Sequence, residues 1–549
     1  MNWILGLFFI IIIAFLATNY SRKKKTASLK KWLFEHWGKS KKEDYFNFYV
    51  IGKYFENNEH KNSAFHIISE KCKSDLDLDE IFKFIDRTTS KIGQQYLYFK
   101  LRTIGNIEHL LKFNTLTSLF EHNKTLSIHC QLLLSKLSSN DSYYLEELIN
   151  GKQIEKPKIL WLVKLLSITA LVSVFLVFFY PIFALLIVAI LIVNLFFHYR
   201  NKSNINYYLN GVRQLSKSLR VGKKLSESSE IKLLYKNFSF IKKVEKIQLK
   251  TEFIAFEKNI DNEFVFLIWF VVEFFKILFN IEYIVFFSFI DAISKEKESI
   301  EKLFLFIGEI DAAISTASLK AGNKKLCTPT FTKEKQLISK EIYHPLIKNC
   351  IANNVNLINN SMLLTGSNMS GKTTFIRTMA INSILAQSLN ICFAETYTAP
   401  YLKIYSSIRI TDDLLEDTSY YLEEVLSIKK LLEASKSNDP CLFVLDEIFK
   451  GTNTIERISG GKAILSFLNK KNHTVLVSTH DIELTSLLEV ENYELYHFSE
   501  QIEGDALIFD HKLKNGKLKT RNAIKILELF NYPDEIITDA RQTESDGFN

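Results

Sequence analysis

The chain has 549 residues, a net charge of +8 and an apolar content of 47%. This length exceeds what one hydrophobic core usually serves, so we expect two or three domains. The six cysteines contain no CxxC pair, which predicts a reduced, cytosolic body without a structural zinc site. The positive charge suits either a cytoplasmic membrane face or a nucleic-acid backbone and does not choose between them.

The chain opens with a run from Trp3 to Tyr20 that carries no charge and is long enough to cross a bilayer. Four basic residues, Arg22–Lys25, follow directly, so the positive-inside rule places the N-terminus outside and the following chain in the cytoplasm. A cleaved signal peptide is the alternative, but its basic residues would precede the apolar run. We therefore predict a transmembrane helix over 1–20 and a basic cytoplasmic linker over 21–59.

A second apolar run, Ile159 to Tyr199, is about twice the length that one crossing needs. Tyr180-Pro181 breaks it near its centre, and basic residues stand at both ends. This pattern predicts a transmembrane helical hairpin over 159–199 that returns to the cytoplasm.

A third apolar stretch, Phe264 to Ile290, contains Glu273, Lys276 and Glu282. A further crossing there would place the rest of the chain outside the cell, so we expect a buried or interfacial helix.

The stretch "LLTGSNMSGKTTFIRTMA" fits the pattern GxxxxGK[ST] at Gly366, Gly371, Lys372 and Thr373. The glycines let backbone N–H groups close around phosphates, the lysine reaches the outer phosphates, and the threonine hydroxyl ligates magnesium at a helix N-terminus. The apolar strand "SMLLT" precedes the loop, and a helix is predicted after it. The pattern therefore predicts binding of ATP with Mg²⁺.

Two more apolar strands end in polar groups that suit phosphate chemistry. "CLFVLDE" ends in Asp446, predicted to hold magnesium through water, and Glu447, predicted to polarise the attacking water. "TVLVSTHD" places His480 beyond the carboxyl end of its strand, where it would sense the γ-phosphate.

"ISGGK" (458–462) is similar to the signature of ABC transporters, but it follows the acidic strand instead of preceding it. Its glycines are therefore predicted to begin a helix that runs to Leu468.

The order of these motifs resembles the MutS mismatch-repair ATPases. "TGSNMSGKTTFIRTMAINSILAQ", "LDEIFKGTNTIE" and "STHD" are similar to the family's glycine-rich loop, acidic strand and histidine switch. "IYSSIRITDDLLEDTSYYLEEV" resembles the segment whose serine reaches the nucleotide of a dimer partner, and "NAIKILELFNYPDEIITDAR" resembles the closing helices. "IFKFIDRTTSKIGQQYLYFKLRTI" resembles the start of the helical core.

The resemblance implies a homodimer joined through the ATPase domain, with Ser419 acting in trans and His344-Pro345 near the adenine. Glu447 and His480 would be catalytic, and Thr373 and Asp446 would serve magnesium. The residues implied in nucleotide binding are Gly366, Ser367, Asn368, Met369, Ser370, Gly371, Lys372, Thr373 and Thr374.

The chain also departs from the family pattern. Ser370 stands where the family has glycine, and Phe449-Lys450 replaces glycine-arginine after the two acids. The region before residue 80 is too short for the family's mismatch-reading and connector domains, and the family is normally soluble. We expect that bilayer contact has replaced or displaced the family's DNA clamp.

The predicted fold is an α/β P-loop (ABC-type) ATPase domain over 331–541, preceded by a mostly α-helical core and lever domain with transmembrane helices. The helical core would cover 60–158, lever-like helices would cover 200–330 on the other side of the hairpin, and 542–549 would be a loose tail.

The predicted function is that of a membrane-anchored, MutS-like ATPase of the inner membrane, with its ATPase domain in the cytoplasm and membrane lipids around its spans. It would couple ATP hydrolysis to binding mismatched or branched DNA. The Lys-rich stretch Arg220–Lys250 would contact phosphates, although it also fits a solvated helix face. The alternative is an ATP-driven mechanical protein of the membrane that remodels a partner without nucleic acid.

Overall fold

The computed structural model describes residues 2–41, 46–151, 157–255, 273–367, 370–409, 420–449, 452–503, 506–518 and 523–546. The chain divides into two compact units. The first contains residues 1–59, 86–99 and 115–322, and the second contains 60–85, 100–114 and 323–549. Segments 60–85 and 100–114 thus group with the C-terminal part of the chain, whereas the sequence placed both in the helical core.

The described part of the first unit is helical. A long helix opens it, so residues 21–35, predicted as part of a linker, continue the N-terminal helix. Two helices, Lys91–Arg102 and Ile107–His122, have residues in both units. The other helices include Asn2–Glu35, Phe48–Ile51, Lys53–Asn57, Lys124–Leu134, Leu145–Asn150, Leu160–Leu176, Phe183–Ser226, Ser229–Leu234, Ser239–Ala255, Ile281–Lys295 and Lys297–Gly322, with 3₁₀ turns at Ser135–Leu137 and Asn140–Tyr144. A further 3₁₀ turn, Glu59–Ser63, also has residues in both units.

The centre of the first unit is the helix Lys297–Gly322, most of whose side chains are buried. Gly308 gives the ring of Tyr96 room, since a Cβ there would lie 2.5 Å from the Cβ of Tyr96. Asp311 is fully buried and accepts hydrogen bonds from the backbone N–H groups of Thr89 and Ser90. Burial raises the pKa of Asp311 to about 6.

The second apolar run forms two packed helices, Leu160–Leu176 and Phe183–Ser226, on either side of the predicted break at Tyr180-Pro181. Their shared core contains Ala170 and Ile190, and Leu278 from the third apolar stretch packs between them. Among the residues whose side chains are described, only the window Phe183–Arg200 is long and apolar enough to cross a membrane, while Leu160–Leu176 is a shorter apolar helix. Most of the run Trp3–Tyr20 lies outside that set, so the transmembrane helix over 1–20 stays a prediction.

The third apolar stretch is described from residue 273 onward, and 264–272 lie outside the described residues. Residues 273–278 form a short helix, and Asn280, in the left-handed conformation with φ 46°, begins the helix Ile281–Lys295. The ring of His198 lies between two carboxylates of this stretch, 3.6 Å from Glu273 and 3.3 Å from Glu282. Half of the described residues of the stretch are buried, and most of the others are partly buried.

The second unit is built on a six-stranded sheet. The strands of the whole unit, in chain order, are β1 (His66–Ile67), β2 (Thr103–Ile104), β3 (Thr330–Thr332), β4 (Gln336–Ile342), β5 (Asn353–Ile358), β6 (Ser361–Thr365), β7 (Thr396–Pro400), β8 (Lys403–Ser407), β9 (Cys441–Asp446), β10 (Thr474–Thr479), β11 (Tyr493–His497), β12 (Glu500–Glu503), β13 (Ala506–Phe509) and β14 (Lys514–Asn515). The large sheet has the order β14-β11-β6-β10-β9-β8.

Five strands of the large sheet, β11, β6, β10, β9 and β8, run parallel, and β14 is antiparallel to β11. Strands β6 and β10 are buried along their whole length, as parallel strands covered on both faces must be. A mixed sheet of order β3-β7-β4-β5 and the pairs β1-β2 and β12-β13 complete the strands. The helices are Glu70–Asp75, Leu78–Ile85, Lys372–Leu389, Tyr420–Ala434, Thr454–Leu468, Glu483–Glu489, Ala523–Leu529 and Asp534–Asp546.

Candidate nucleotide-binding site

A glycine-rich turn connects β6 to the helix Lys372–Leu389. Gly366 has φ 150° and Gly371 has φ 104°, a backbone region that residues with side chains rarely adopt. A Cβ at Gly366 would also lie 2.8 Å from the carbonyl oxygen of Phe498. The turn therefore requires glycine at both positions. It leads into a helix N-terminus, whose free N–H groups suit an anion.

Lys372 folds back over this turn. Its side chain is buried, and its ammonium donates to the carbonyl oxygens of Gly366 at 2.6 Å and Ser367 at 2.9 Å. The hydroxyl of Ser367 is also buried and has no hydrogen-bond partner among the described residues. A cation and an uncommitted hydroxyl in one turn fit the oxygens of a polyphosphate, which accept hydrogen bonds from both.

Asp446 lies at the end of β9, where two hydroxyl groups converge on it. Thr373 donates to its Oδ2 at 2.8 Å, and Ser478 of β10 donates to its Oδ1. A carboxylate and a threonine hydroxyl beside a polyphosphate turn are the oxygen ligands that magnesium takes, with water and phosphate oxygens completing its shell. These residues therefore fit a magnesium ion.

Glu447 follows Asp446 with φ 55°, and its backbone N–H donates to the carbonyl oxygen of Ser478 at 2.8 Å. Such a conformation is costly for a glutamate and is common at functional sites. Nδ1 of His480 lies 3.3 Å from Oε1 of Glu447. Arg457 pairs with Asp481 at 2.7 Å and so holds the turn that carries His480. The pair of Glu447 and His480 is thus arranged to accept a proton from a water molecule and to orient it.

A cavity of about 380 Å³ opens beside the glycine-rich turn. Ser370, Gly371 and Thr374 form one side of it. The other lining side chains are mostly apolar or aromatic and include Tyr343, Ile351, Phe375, Phe498 and His511. A cavity with aromatic walls next to a polyphosphate turn suits a planar base.

Sequence reasoning missed His511 as part of this cavity. The structure places its Nδ1 3.0 Å from the carbonyl oxygen of Ser370, with its ring stacked on Phe509. A single histidine in "FDHKL" gives no pattern that could have singled it out.

His344, expected near the adenine, is not among the lining residues, although its neighbour Tyr343 is. Burial, and then the charge of Arg377, lower the pKa of His344 to about 4.

Most of the residues predicted from sequence meet at the carboxyl edge of the six-stranded sheet. Asn368, Met369 and Ser419 lie outside the described residues, as does Lys450. The residues that the structure does place at this edge or in the adjoining turn are Gly366, Ser367, Ser370, Gly371, Lys372, Thr373, Thr374, Asp446, Glu447 and His480.

The unusual residues of the chain are accommodated locally. Ser370 is buried and its hydroxyl donates to the carbonyl oxygen of Ser367 at 2.7 Å, which closes the turn. Phe449 has φ 60° and packs near the ring of Tyr421 and against Gly460.

The expectation that "ISGGK" begins a helix is wrong. The helix begins at Thr454, capped by the side chain of Asn453, and both glycines lie inside it.

Comparison with known proteins agrees with this arrangement. Residues 362–546 match the family described as MutS domain V. The chain is 30% identical over 270 residues to the DNA mismatch repair protein MutS of Listeria welshimeri, covering 47% of this chain and 31% of that protein. It is 30% identical over 274 residues to the protein of the same name from Staphylococcus epidermidis, covering 48% of this chain and 31% of that protein. The chain thus spans about a third of the length of these relatives. On these grounds about half of the chain is similar to MutS proteins, and residues 362–546 match MutS domain V.

Proposed function

We propose that the chain is an ATPase that binds ATP with Mg²⁺ at the glycine-rich turn and hydrolyses it to ADP and phosphate. The observation that carries this proposal is the 2.8 Å hydrogen bond between Thr373 and Asp446 beside the buried ammonium of Lys372. A parallel sheet, a glycine-rich turn and this pair are the parts of a P-loop ATPase. The likeness of residues 362–546 to MutS domain V supports the same reading.

Each residue of the site has a separate task in this proposal. Lys372 would leave the loop carbonyls and bind the outer phosphates, with the Ser367 hydroxyl beside it. A magnesium ion held by Thr373 and Asp446 would supply positive charge against the phosphate oxygens. Glu447 would accept a proton from the attacking water, and His480, whose Nδ1 lies 3.3 Å from the Glu447 carboxylate, would sense the γ-phosphate. Because phosphoryl transfer depends on positioning and charge neutralisation, no covalent intermediate is needed.

The proposal includes a homodimer joined through the C-terminal unit. Residues 404–425 resemble the MutS-family segment whose serine reaches the nucleotide of a dimer partner. Ser419, by that resemblance, would complete the nucleotide site of the partner subunit. Turnover would then depend on protein concentration, because a subunit alone would lack one donor to the nucleotide.

DNA is the proposed partner of the helical unit. Lys136, Arg220 and Lys224 are exposed and close enough that the pKa of Lys136 is lowered, first by burial and then by the charges of Lys224 and Arg220. Three cations that repel one another are stabilised by a bound polyanion, and phosphate contacts of this kind carry no sequence preference. This group, called here the basic cluster, includes two residues of the Lys-rich stretch singled out in the sequence.

A membrane anchor is proposed for the hairpin Leu160–Arg200. Its outward face consists of large apolar side chains, with Phe178 83%, Leu185 69% and Trp161 67% exposed. A contiguous apolar surface of this kind on a helical pair is costly in water and favourable in lipid. We therefore propose that the protein lies in the inner membrane with the C-terminal unit in the cytoplasm. The same face favours the second candidate function, an ATP-driven mechanical protein that moves the hairpin or a membrane partner without nucleic acid.

The two candidates separate in one experiment on the full chain in detergent micelles. ATP hydrolysis is measured alone and with duplex, branched and mismatched DNA, for the wild type and for the triple variant Lys136→Ala, Arg220→Ala, Lys224→Ala. We expect DNA to accelerate hydrolysis in the wild type and less so in the variant, with the same basal rate in both. If none of the DNAs accelerates hydrolysis at low ionic strength, the DNA role is removed and the mechanical one remains. The absence of any Mg²⁺-dependent hydrolysis would overturn the ATPase proposal itself.

A further inference from the structure

Two cysteines that are not among the residues of the nucleotide site lie directly opposite each other in the C-terminal unit. Cys327 and Cys392 form an isolated antiparallel bridge, in which each backbone N–H donates to the other's carbonyl oxygen at 2.9 Å. In such a pair the Cα atoms lie about 5.5 Å apart. A disulfide needs a Cα separation of about 4.4 to 6.8 Å. The backbone therefore holds the two thiols within bonding reach.

The two thiols differ in ways that suit an ordered reaction. Cys327 is partly exposed, whereas Cys392 is fully buried. The side-chain contact with Cys392 lowers the pKa of Cys327. Burial first, and then the hydrogen bond to Cys327, raise the pKa of Cys392 well above its usual value. Cys327 is therefore the more accessible and more readily ionised of the two.

We propose that Cys327 and Cys392 form a reversible disulfide when a hydroperoxide or a small-molecule disulfide oxidises the protein. With a hydroperoxide, the Cys327 thiolate attacks the outer oxygen, the O–O bond breaks, and an alcohol or water leaves with Cys327 as the sulfenic acid. The Cys392 sulfur then attacks the Cys327 sulfur, the S–O bond breaks, and water leaves with the Cys392 proton. The two thiols are oxidised and one peroxide is reduced. A dithiol reductant reverses the reaction by exchange.

This disulfide would fasten two distant parts of the C-terminal unit. Cys327 precedes β3, and Cys392 follows the helix Lys372–Leu389 that begins at the glycine-rich turn. The Cys392 sulfur also lies 3.5 Å from the carbonyl oxygen of Asn382 in that helix. Closing the long loop between the two cysteines restricts the unfolded chain, so the oxidised form should resist unfolding more than the reduced form. The inference does not depend on nucleotide hydrolysis or on DNA.

The test uses the full chain, treated with hydrogen peroxide or with oxidised glutathione. Remaining thiols are alkylated under denaturing conditions, and the digested protein is analysed by mass spectrometry. We expect a peptide that joins Cys327 to Cys392 as the main oxidation product and its disappearance on reduction. The melting temperature of the C-terminal unit should rise on oxidation and return on reduction.

Two variants make the result specific. Cys327→Ser removes the exposed thiol without changing the buried core, and it should abolish both the joined peptide and the rise in melting temperature. Cys350→Ser removes another partly exposed thiol of the same unit and should leave both unchanged. The proposal is overturned if Cys392 is recovered alkylated while Cys327 carries a sulfinic acid, a glutathione adduct or the same alkyl group.

Discussion

The hydroxyl of Thr373 and the carboxylate of Asp446, 73 positions apart in the chain, meet at 2.8 Å across the carboxyl edge of the large sheet. They meet because β6 and β9 are both parallel neighbours of β10, so the ends of these strands reach the same edge. Asp446 also accepts from Ser478 at the end of β10. One carboxylate thus connects three parallel strands at the place where magnesium would bind.

Asp446→Asn should raise the magnesium requirement of ATP hydrolysis and lower turnover at least tenfold. The amide keeps the shape of the side chain but removes the negative charge that holds a divalent cation. The measurement is the hydrolysis rate as a function of MgCl₂ concentration. Asp439→Asn, half-exposed just before β9, is the matched control and should leave the magnesium curve unchanged. An unchanged curve for Asp446→Asn would place the metal elsewhere.

Glu447→Gln should leave ATP binding intact and reduce turnover by about 10² to 10⁴-fold, the usual contribution of a positioned general base. The amide cannot accept the proton of the attacking water, although it keeps the contact with His480. Binding is measured with a fluorescent ATP analogue and turnover by phosphate release. Glu483→Gln, exposed at the start of the helix after β10, should match the wild type in both. Wild-type turnover in Glu447→Gln would show that another group is the base.

Lys372→Ala should weaken ATP binding itself, in contrast to Glu447→Gln. Loss of one hydrogen bond from a charged donor costs about 1.5 to 3 kcal/mol, or roughly a tenfold to hundredfold weaker affinity. Because the ammonium now bonds to the loop carbonyls of Gly366 and Ser367, its removal also leaves these acceptors without that donor. Binding is measured by isothermal titration calorimetry with ATP. The exposed Lys429→Ala is the control, and equal affinities of the two variants would contradict the assignment.

The sequence was sufficient where the chemistry is local. The turn from Gly366 to Thr373 is contiguous, and its glycines have the positive φ that the motif requires. Asp446 and His480 could also be placed, because each ends a strongly apolar run and such runs predict parallel strands with a common ligand-binding edge. The periodicity of the sequence does not show which residue each of these side chains contacts in the folded site. The pairing of Thr373 with Asp446, for example, depends on strand order.

The sequence was insufficient where distant segments meet. His511 reaches the cavity through the tertiary packing of the segment after β13. The grouping of 60–85 with the C-terminal unit depends on side-chain contacts that no local pattern encodes. Its basis is Asp75, which is fully buried and accepts from the hydroxyl of Ser406 and from the backbone N–H of Ile408 and Arg409.

Asp75→Ala should destabilise the C-terminal unit by about 3 kcal/mol, because the donors at Ser406 and Ile408 would remain buried without their acceptor. The measurement is urea unfolding followed by pulse proteolysis with a C-terminal epitope tag, which reports on this unit. Glu80→Ala, an exposed acid of the same segment that pairs with Lys83 one helix turn away, should change stability by less than about 0.5 kcal/mol. A loss for Asp75→Ala no larger than that of the control would mean that the segment is held by other contacts.

The pH dependence of stability should identify His66 as a second anchor of the same segment. Its Nε2 lies 2.7 Å from the carbonyl oxygen of Ile404, and burial lowers its pKa to about 4. The unfolded chain, with an ordinary histidine pKa near 6.5, binds a proton between about pH 6.5 and pH 4 that the folded chain does not bind. The contribution of His66 to stability is therefore complete above about pH 6.5 and is lost as the pH falls, by at most about 1.4 kcal/mol per pH unit.

His66→Gln keeps a donor for Ile404 but cannot titrate, so its unfolding midpoint should fall less steeply than that of the wild type between about pH 7 and pH 5. The exposed His109→Gln should keep the wild-type slope. Identical slopes for His66→Gln and the wild type would mean that His66 gains solvent or a partner that allows it to protonate in the folded chain.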